Sequence, residues 1–225
     1  MKGLGAAAAV LFGCIAAYLV AFPIYTYRYR LAVEVEAGGL VKSGSSVIQV
    51  RWITMPPIIP MCIIKDYEVF VQGEAVVVDL SPQAMVIVGL YGDEDPSRSL
   101  ESKSAYNLLL AAHGLKANRE GLSAISSLKH VVEVPVSLLP KLIILRNPHD
   151  PKTIQLVTPV GATNEIGNGY RLRSATAQIT DATLTQVISA KLPWLDDAAR
   201  SARPVAVLDR GHGPQPVFHN DFVEE

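Results

Sequence analysis

Apolar and polar positions divide the chain into an uncharged N-terminal stretch and a longer segment of alternating pattern. Residues 4–22, LGAAAAVLFGCIAAYLVAF, contain no charged side chain. As a helix this stretch would be about 28 Å long, close to the hydrocarbon thickness of a bilayer. It ends before Pro23. The pattern predicts a single transmembrane helix within residues 1–23, with membrane binding through residues 4–22.

Three interpretations of this helix stay open. An uncleaved signal-anchor is favoured, because no A-x-A triplet precedes Pro23. A cleaved signal peptide would be cut after Ala17 or Ala21. A lipoprotein would carry its lipid on Cys14, since LFGC loosely matches a lipobox.

The flanks of the helix bear on its orientation and association. Lys2 precedes it and Arg28 and Arg30 follow it, so the positive charge is nearly balanced. A short tail before an apolar helix is typical of a signal-anchor, so we expect a periplasmic domain at a bacterial inner membrane. Small residues at a four-residue spacing raise the hypothesis of a weak homodimer. They are Gly5, Ala9, Gly13, Ala17 and Ala21.

From Ile24 the apolar residues recur at every second position, which is typical of half-buried strands. The inward set is predicted to be Tyr25, Tyr27, Tyr29, Leu31, Val33 and Val35. Gly38 and Gly39 predict a turn within a loop of several residues, and SSVIQVRWI (45–53) predicts the second strand. Arg28 and Arg30, on the outward face, could hold the domain against anionic headgroups or simply be solvated.

The rest of the first half predicts an apolar loop and three more strands. MPPIIPM (55–61) breaks the ladder, because proline lacks the N–H that a central strand needs. Strands are expected at 62–71, 74–80 and 84–91, and EAVVVDL and AMVIVGLY are typical of strands buried on both faces. This half is therefore predicted to be a largely antiparallel β-meander of five strands.

The second half mixes helices and strands. A helix capped by Ser97 or Ser99 should end at Gly114. Further helices are expected at 119–129 and 183–195, and strands at 131–136, 142–145, 153–160 and 170–180. The predicted fold class is thus α+β and β-rich, with one mixed domain (24–203) after the transmembrane helix and a disordered tail (204–225).

Composition excludes some classes of protein. With 225 residues, 49% hydrophobic and 18% charged, the chain suits one globular domain plus a membrane segment. Net charge is −1 and no two Lys or Arg residues are adjacent, which argues against nucleic-acid binding. The two cysteines, Cys14 in the apolar helix and Cys62 in the domain, cannot form an intradomain disulfide.

Histidines and acidic residues offer the first candidates for chemistry. His113 and His130 belong to no metal-binding motif. His212, His219 and Asp221 could gather around a metal, but they lie in the tail, which lacks a preformed scaffold. In the proline-bounded loop NPHDP, residues 147–151, we expect Asp150 to stabilise a turn beside His149.

Other candidate motifs are incomplete. Asp93, Glu94 and Asp95 lack the spacing of a calcium loop, and a solvated turn is favoured. The glycines at 167 and 169 do not complete a dinucleotide fingerprint. Ser43, Ser45 and Ser46 have no nucleophile-elbow context. The sequence therefore predicts no catalytic, cofactor-binding or metal-binding residue, and no cofactor.

Several segments resemble a family of uncharacterised bacterial membrane-associated proteins. They are SGSSVIQVRW and GEAVVVDL in the first half, and LPKLIILRNPHDPKTIQLVTP, GYRLRSATAQIT and LPWL in the second. The resemblance covers about Tyr27 to Leu195. It implies a shared architecture without an activity, so it assigns no functional residues.

The leading functional hypothesis is a membrane-anchored, envelope-facing binding or structural module with a protein partner. One alternative is a membrane-anchored, hydrolase-like enzyme whose site has no recognisable motif. Another is a periplasmic ligand-binder that is released by signal-peptide cleavage.

Overall fold

Antiparallel strands dominate the structure, a computed structural model that describes residues 2–56, 66–92, 103–163, 169–195, 206–209, 214–217 and 222–224. The four helices of these residues are α1 (Lys2–Ala21), α2 (Ala105–Ala112), α3 (Arg119–Ile125) and α4 (Ile188–Lys191). The strands are β1 (Ile24–Ala37), β2 (Leu40–Thr54), β3 (Tyr67–Glu74), β4 (Val76–Ser81), β5 (Ala84–Val88), β6 (Val132–Glu133), β7 (Leu142–Leu145), β8 (Ile154–Val157), β9 (Tyr170–Ile179), β10 (Ala206–Asp209), β11 (Pro214–Val217) and β12 (Val223–Glu224).

The strands form two sheets and a separate hairpin. The large sheet has the order β12-β3-β2-β1-β9-β6, and the small sheet has the order β4-β5-β7-β8. β10 and β11 pair with each other. Every one of these pairings is antiparallel. The prediction of a β-rich α+β fold with antiparallel strands is confirmed.

The expected five-strand meander is divided between the two sheets, which corrects that part of the prediction. β1, β2 and β3 follow one another in the large sheet, and the chain then enters the small sheet after Ala75. Three consecutive valines of β4, Val76, Val77 and Val78, are buried. Such a run needs protein on both faces, so it does not suit a sheet whose outer face is exposed.

The turn between β1 and β2 is tighter than the predicted loop. Gly38 and Gly39 have φ of +57° and +81°, which suits a two-residue type I′ turn. The pairing runs without a break from Ala37 opposite Leu40 to Ile24 opposite Ile53. β2 therefore begins five residues earlier than expected, at Leu40, and includes the polar stretch KSG (42–44), which has no strand pattern of its own.

Gly44, within that polar stretch, lets the two sheets approach each other. A Cβ atom at this position would lie 2.0 Å from the carbonyl oxygen of Val77 and 3.1 Å from Cγ2 of Val78. Only glycine leaves room for the β4 backbone to cross β2 here.

The inward face of β1 is buried as the alternation predicts, and its tyrosines meet α2. Tyr27 donates a hydrogen bond to the carbonyl oxygen of Tyr106 (3.0 Å), and Tyr29 donates one to that of Ala105 (2.6 Å). Burial raises the pKa of both hydroxyls, so both stay protonated donors. Trp52 of β2 packs edge-on against Tyr106, with ring centroids 5.7 Å apart.

A β-bulge in β9 changes which side chains face inward. Glu34 pairs with Ser174 but Val35 pairs with Leu172, so Arg173 is an extra residue. The sequence assigns Leu172 to one face and the later apolar residues to the other. The bulge places them all inside, because an extra residue reverses the alternation. The buried set is Leu172, Ala175, Ala177 and Ile179.

The helices of the second half are shorter than predicted. α2 follows Ser104, and the predicted caps Ser97 and Ser99 lie outside the described residues. Gly114, with φ of +67°, ends the helix region as expected. α3 follows its cap Asn118 and ends four residues early. β5, β6 and β8 are likewise shorter than the patterns indicate, whereas β3 continues to Glu74, three residues beyond the predicted end.

The segment predicted as a helix over residues 183–195 is not helical before α4, which begins at Ile188. Before it, the hydroxyl of Thr185 accepts a hydrogen bond from the N–H of Val47 (2.9 Å). This tertiary contact ties the segment to β2. β-branched residues such as Thr183, Thr185 and Val187 also favour extended conformations over helix.

The tail was expected to be disordered, and its described residues differ from that expectation. They form β10, β11 and β12. Val223 pairs with Glu74 of β3, and the N–H of Ala75 donates to the carbonyl oxygen of Phe222 (2.7 Å). Phe222 is fully buried and packs edge-on against Trp194. Burial of one large aromatic side chain explains why this part of the tail is ordered.

We predict that Gly44→Ala destabilises the domain, because the new methyl group collides with the β4 backbone. The free energy of unfolding should fall by about 1–3 kcal/mol. The measurement is chemical denaturation of the full chain in detergent micelles. Ser43→Ala, at the neighbouring exposed position, is the matched control and should change stability by less than about 0.5 kcal/mol. Equal stability of the two variants would contradict the close approach of the sheets.

Candidate functional site

The most unusual surface in the structure is that of α1. All twelve described side chains of this helix, from Val10 to Ala21, are exposed. They are uncharged, and Phe12, the most exposed of the large apolar ones, is 72% exposed. Over the described side chains, which in α1 run from Val10 to Ala21, none of the helices is long and apolar enough to cross a membrane.

The C-terminal end of α1 is held against the large sheet by hydrogen bonds. Pro23 follows it, and the carbonyl oxygen of Pro23 accepts hydrogen bonds from the N–H and the hydroxyl of Thr54 (3.4 and 2.8 Å). The guanidinium of Arg119 donates to the carbonyl oxygen of Val20 (2.8 Å). A cation at the last turn also interacts favourably with the helix dipole. Tyr18 and Phe22 stack with ring centroids 5.0 Å apart.

A polar cleft of about 410 Å³ lies where β3 meets the segment before α4, and we call it the Glu74 cleft. The Glu74 carboxylate is buried and accepts hydrogen bonds from the N–H groups of Val187 and Ile188, the latter at 2.8 Å. Ser46 donates to the carbonyl oxygen of Glu74 (2.6 Å). The other lining residues are Gln72, Gly73, Leu184, Thr185, Gln186, Ser189 and Val223.

The hydrogen bonds of Glu74 limit the chemistry that the Glu74 cleft can carry out. Oε2 of its carboxylate accepts both backbone N–H groups at the start of α4, so this oxygen satisfies donors that the helix leaves unpaired. Hydroxyl and amide side chains on the cleft wall suit hydrogen bonding to a polar ligand. Sequence reasoning did not identify Glu74, because a single acid before an apolar run carries no motif.

A second groove contains His149, one of the candidates from the sequence. It is shared with Lys42, Asp79, Ser81 and Lys191. The Lys191 ammonium and the Asp79 carboxylate form an ion pair at 2.5 Å. The hydroxyl of Ser81 accepts from the N–H of Gln83 (3.2 Å), which is a turn contact.

The loop that carries His149 is organised by its neighbours. Asp150 accepts a hydrogen bond from the N–H of Lys152 (2.9 Å), so the prediction of a turn-stabilising aspartate is confirmed. The indole N–H of Trp194 donates to the carbonyl oxygen of Pro148 (2.7 Å). His149 itself is exposed.

Two other histidines are in contact although they lie seventeen positions apart in the sequence. The rings of His113 and His130 are perpendicular, with centroids 4.9 Å apart. Nε2 of His113 is buried and has no hydrogen-bond partner. Burial lowers the pKa of His113, and the neighbouring His130 lowers it further. The sequence did not indicate this pair, because the contact depends on the packing of α2 and the segment after α3.

The structure brings few of the predicted candidates together. Among the described residues, no group of three or more His, Cys, Asp or Glu side chains could hold a metal ion. Ser46 contacts Glu74, and Ser43 and Ser45 lie on the exposed side of β2. The other candidates fall outside the described residues: Cys62, the loop 57–61, Asp93, Glu94, Asp95, Gly167, His212, His219 and Asp221.

No family model, curated protein or solved structure matches the chain. The resemblance to bacterial membrane-associated proteins therefore stays a prediction.

We predict that Glu74→Ala destabilises the protein, because the N–H groups of Val187 and Ile188 lose a buried acceptor. The free energy of unfolding should fall by about 1–3 kcal/mol, and these two amides should exchange hydrogen faster. Glu74→Gln keeps a side-chain acceptor oxygen at the same distance from the backbone, so its free energy of unfolding should fall less than that of Glu74→Ala. Hydrogen exchange and denaturation of both variants test this. An alanine variant that matches the native protein in both measurements would rule out this role for Glu74.

We also predict that stability falls below about pH 6.5 because of His113. Its folded-state pKa lies below the unfolded value of about 6.5, so the unfolded chain binds more protons there. The stabilisation is complete above this pH and is lost as the pH falls towards the folded-state pKa. Melting temperatures between pH 7.5 and 5.5 should drop less steeply in His113→Asn than in the native protein. His149→Asn, at an exposed position, is the control and should keep the native slope.

Proposed function

We propose that the protein is attached to a membrane by α1, which spans the bilayer and holds the β-rich domain at its surface as a binding or structural module. The observation that carries this proposal is the exposure of an uncharged helix on all sides from Val10 to Ala21. A helix that is apolar all round is typical of a buried or membrane-spanning segment.

The size of α1 supports the proposal. Its 20 residues correspond to a length of about 30 Å, which equals the hydrocarbon thickness of a bilayer. Burying one large apolar side chain gains about 1.5–3 kcal/mol. Removing all the large exposed ones from water would therefore gain on the order of 10 kcal/mol. These side chains are Val10, Leu11, Phe12, Ile15, Tyr18, Leu19 and Val20.

The state of the polar groups in the clefts supports a binding or structural role. Glu74 is engaged with backbone amides, Asp79 with Lys191, and Ser81 with a turn. A nucleophile needs a base within hydrogen-bond reach, and these three groups are already used by the fold. A protein partner or a weak homodimer stays a prediction from the sequence.

We predict that charge in the middle of α1 removes the protein from the membrane. The double variant Leu11→Arg, Phe12→Arg adds about 5–7 kcal/mol to the cost of insertion, at about 2.5–3.5 kcal/mol per arginine. After alkaline carbonate extraction of bacterial membranes, the native protein should stay in the pellet and the double variant should not. Leu11→Ile with Phe12→Leu is the matched control and should behave as native. Recovery of the native protein in the soluble fraction would refute the anchor.

The same cells test the remaining predictions about this helix. Recovery of a soluble form with a new N-terminus after Ala17 or Ala21 would identify the released ligand-binder instead. A reporter that is active only in the periplasm, fused to the C-terminus, tests the predicted orientation. Activity of a cytoplasmic reporter at that position would reverse it.

A further inference from the structure

The junction between α1 and the large sheet leaves no flexible linker. Only two residues separate the helix from β1, and Pro23, Thr54 and Arg119 hold this junction through the hydrogen bonds given above. The end of the sheet nearest α1 is therefore fixed close to the helix end. If α1 spans a bilayer, this end of the sheet must lie at the bilayer surface.

The strand register gathers four apolar side chains on the outer face of this end. Ile24 pairs with Ile53, and Met55 follows Ile53 by two residues, so these three share one face. Phe70 pairs with Arg51, which places it on the same face one side-chain step further along. Ile24, Met55 and Phe70 are 49%, 37% and 45% exposed. We call these four residues, Ile24, Ile53, Met55 and Phe70, the base patch.

The outer face of the sheet becomes polar beyond the base patch. Arg28 donates to the side-chain oxygen of Gln49 (2.8 Å) and to the carbonyl oxygen of Ala182 (3.5 Å). Arg30 lies about 20 Å along β1 from Ile24. These contacts and this distance do not favour the earlier idea that Arg28 and Arg30 hold the domain against the membrane.

The charges around the base are mixed in sign. Arg119 and Asp66 both lie near Tyr67. Burial is the main cause of the raised pKa of Tyr67, Asp66 raises this pKa further, and Arg119 lowers it. On the outer face itself, exposed Arg51 lies opposite Phe70 and exposed Glu68 lies opposite Ile53, so the patch contains one charge of each sign. A surface that combines apolar side chains with balanced charges gains little from anionic lipids and suits the boundary between headgroups and acyl chains.

We propose that the base patch is seated in the headgroup layer of the bilayer that α1 spans, and that it binds zwitterionic lipid without a requirement for anionic headgroups. This inference rests on the proposed function of α1. The continuity of the patch with the end of α1 selects a lipid surface over a second copy of the chain. The domain is then held in one orientation on the membrane.

The test uses fluorescent labels at single cysteines in the full chain, reconstituted into phosphatidylcholine vesicles. Cys14 and Cys62 are replaced by serine, and an environment-sensitive dye is attached at Ile24→Cys or Phe70→Cys. Leu40→Cys is the matched control, because Leu40 is an exposed apolar residue about 45 Å further along the hairpin. Lipids with a quencher at headgroup depth should reduce the emission at 24 and 70 about twofold more than at 40.

A dye on the native Cys14, with Cys62 replaced, separates the two proposals. Quenching at Cys14 by an acyl-chain quencher together with weak, equal quenching at 24, 70 and 40 would overturn the base patch alone. No quenching at Cys14 would overturn the proposed function. A blue-shifted dye at 24 and 70 without lipid quenching would indicate that a second copy of the chain covers the patch and would also overturn the inference. Adding anionic lipid should leave the quenching pattern unchanged, and Met55→Cys repeats the test should either label disturb folding.

Discussion

β1 is the strand on which the rest of the structure depends, because both of its edges are paired and it begins two residues after α1. β2 pairs with it along its whole length, and β9 pairs with it from Tyr29 onward. Its inward tyrosines, Tyr27 and Tyr29, hold the first carbonyl groups of α2. The same backbone therefore carries the core and sets the direction of α1. A change in the tilt of α1 relative to the sheet would have to disturb the hydrogen bonds at Pro23.

The change of sheet after β3 is the second constraint, and it explains the buried acid. A chain that leaves a sheet exposes backbone groups that its own strand no longer pairs. Here Ser46 bonds to the carbonyl oxygen of Glu74, and Phe222 accepts from the N–H of Ala75. The Glu74 carboxylate in turn satisfies the amides before α4. Segments that are far apart in the sequence thus meet at one point, where the polar groups stabilise the fold.

The features of the fold that depend only on neighbouring residues were predicted correctly from local patterns in the sequence. The alternation in β1, the apolar run of β7 and the glycine after α2 each reflect neighbouring residues, and the structure has them as expected. The bulge at Arg173, the role of Gly44 and the burial of Phe222 depend on contacts with distant strands, which no window of the sequence contains. The candidate sites follow the same rule, since Glu74 and the pair of His113 and His130 acquire their neighbours only through packing.

The proposed attachment to a bilayer would explain two features of the surface together. A free domain in water gains nothing from an uncharged helix exposed on all sides, nor from collecting exposed Ile24, Met55 and Phe70 at one end of a sheet. The two features adjoin each other at the junction at Pro23, and Arg28 and Arg30 lie further along β1 on the outer face. One boundary between lipid and water, placed at that junction, would remove both apolar surfaces from water at once. It would leave Arg30 and the rest of the outer face in solvent, where the charged groups stay hydrated and incur no desolvation penalty.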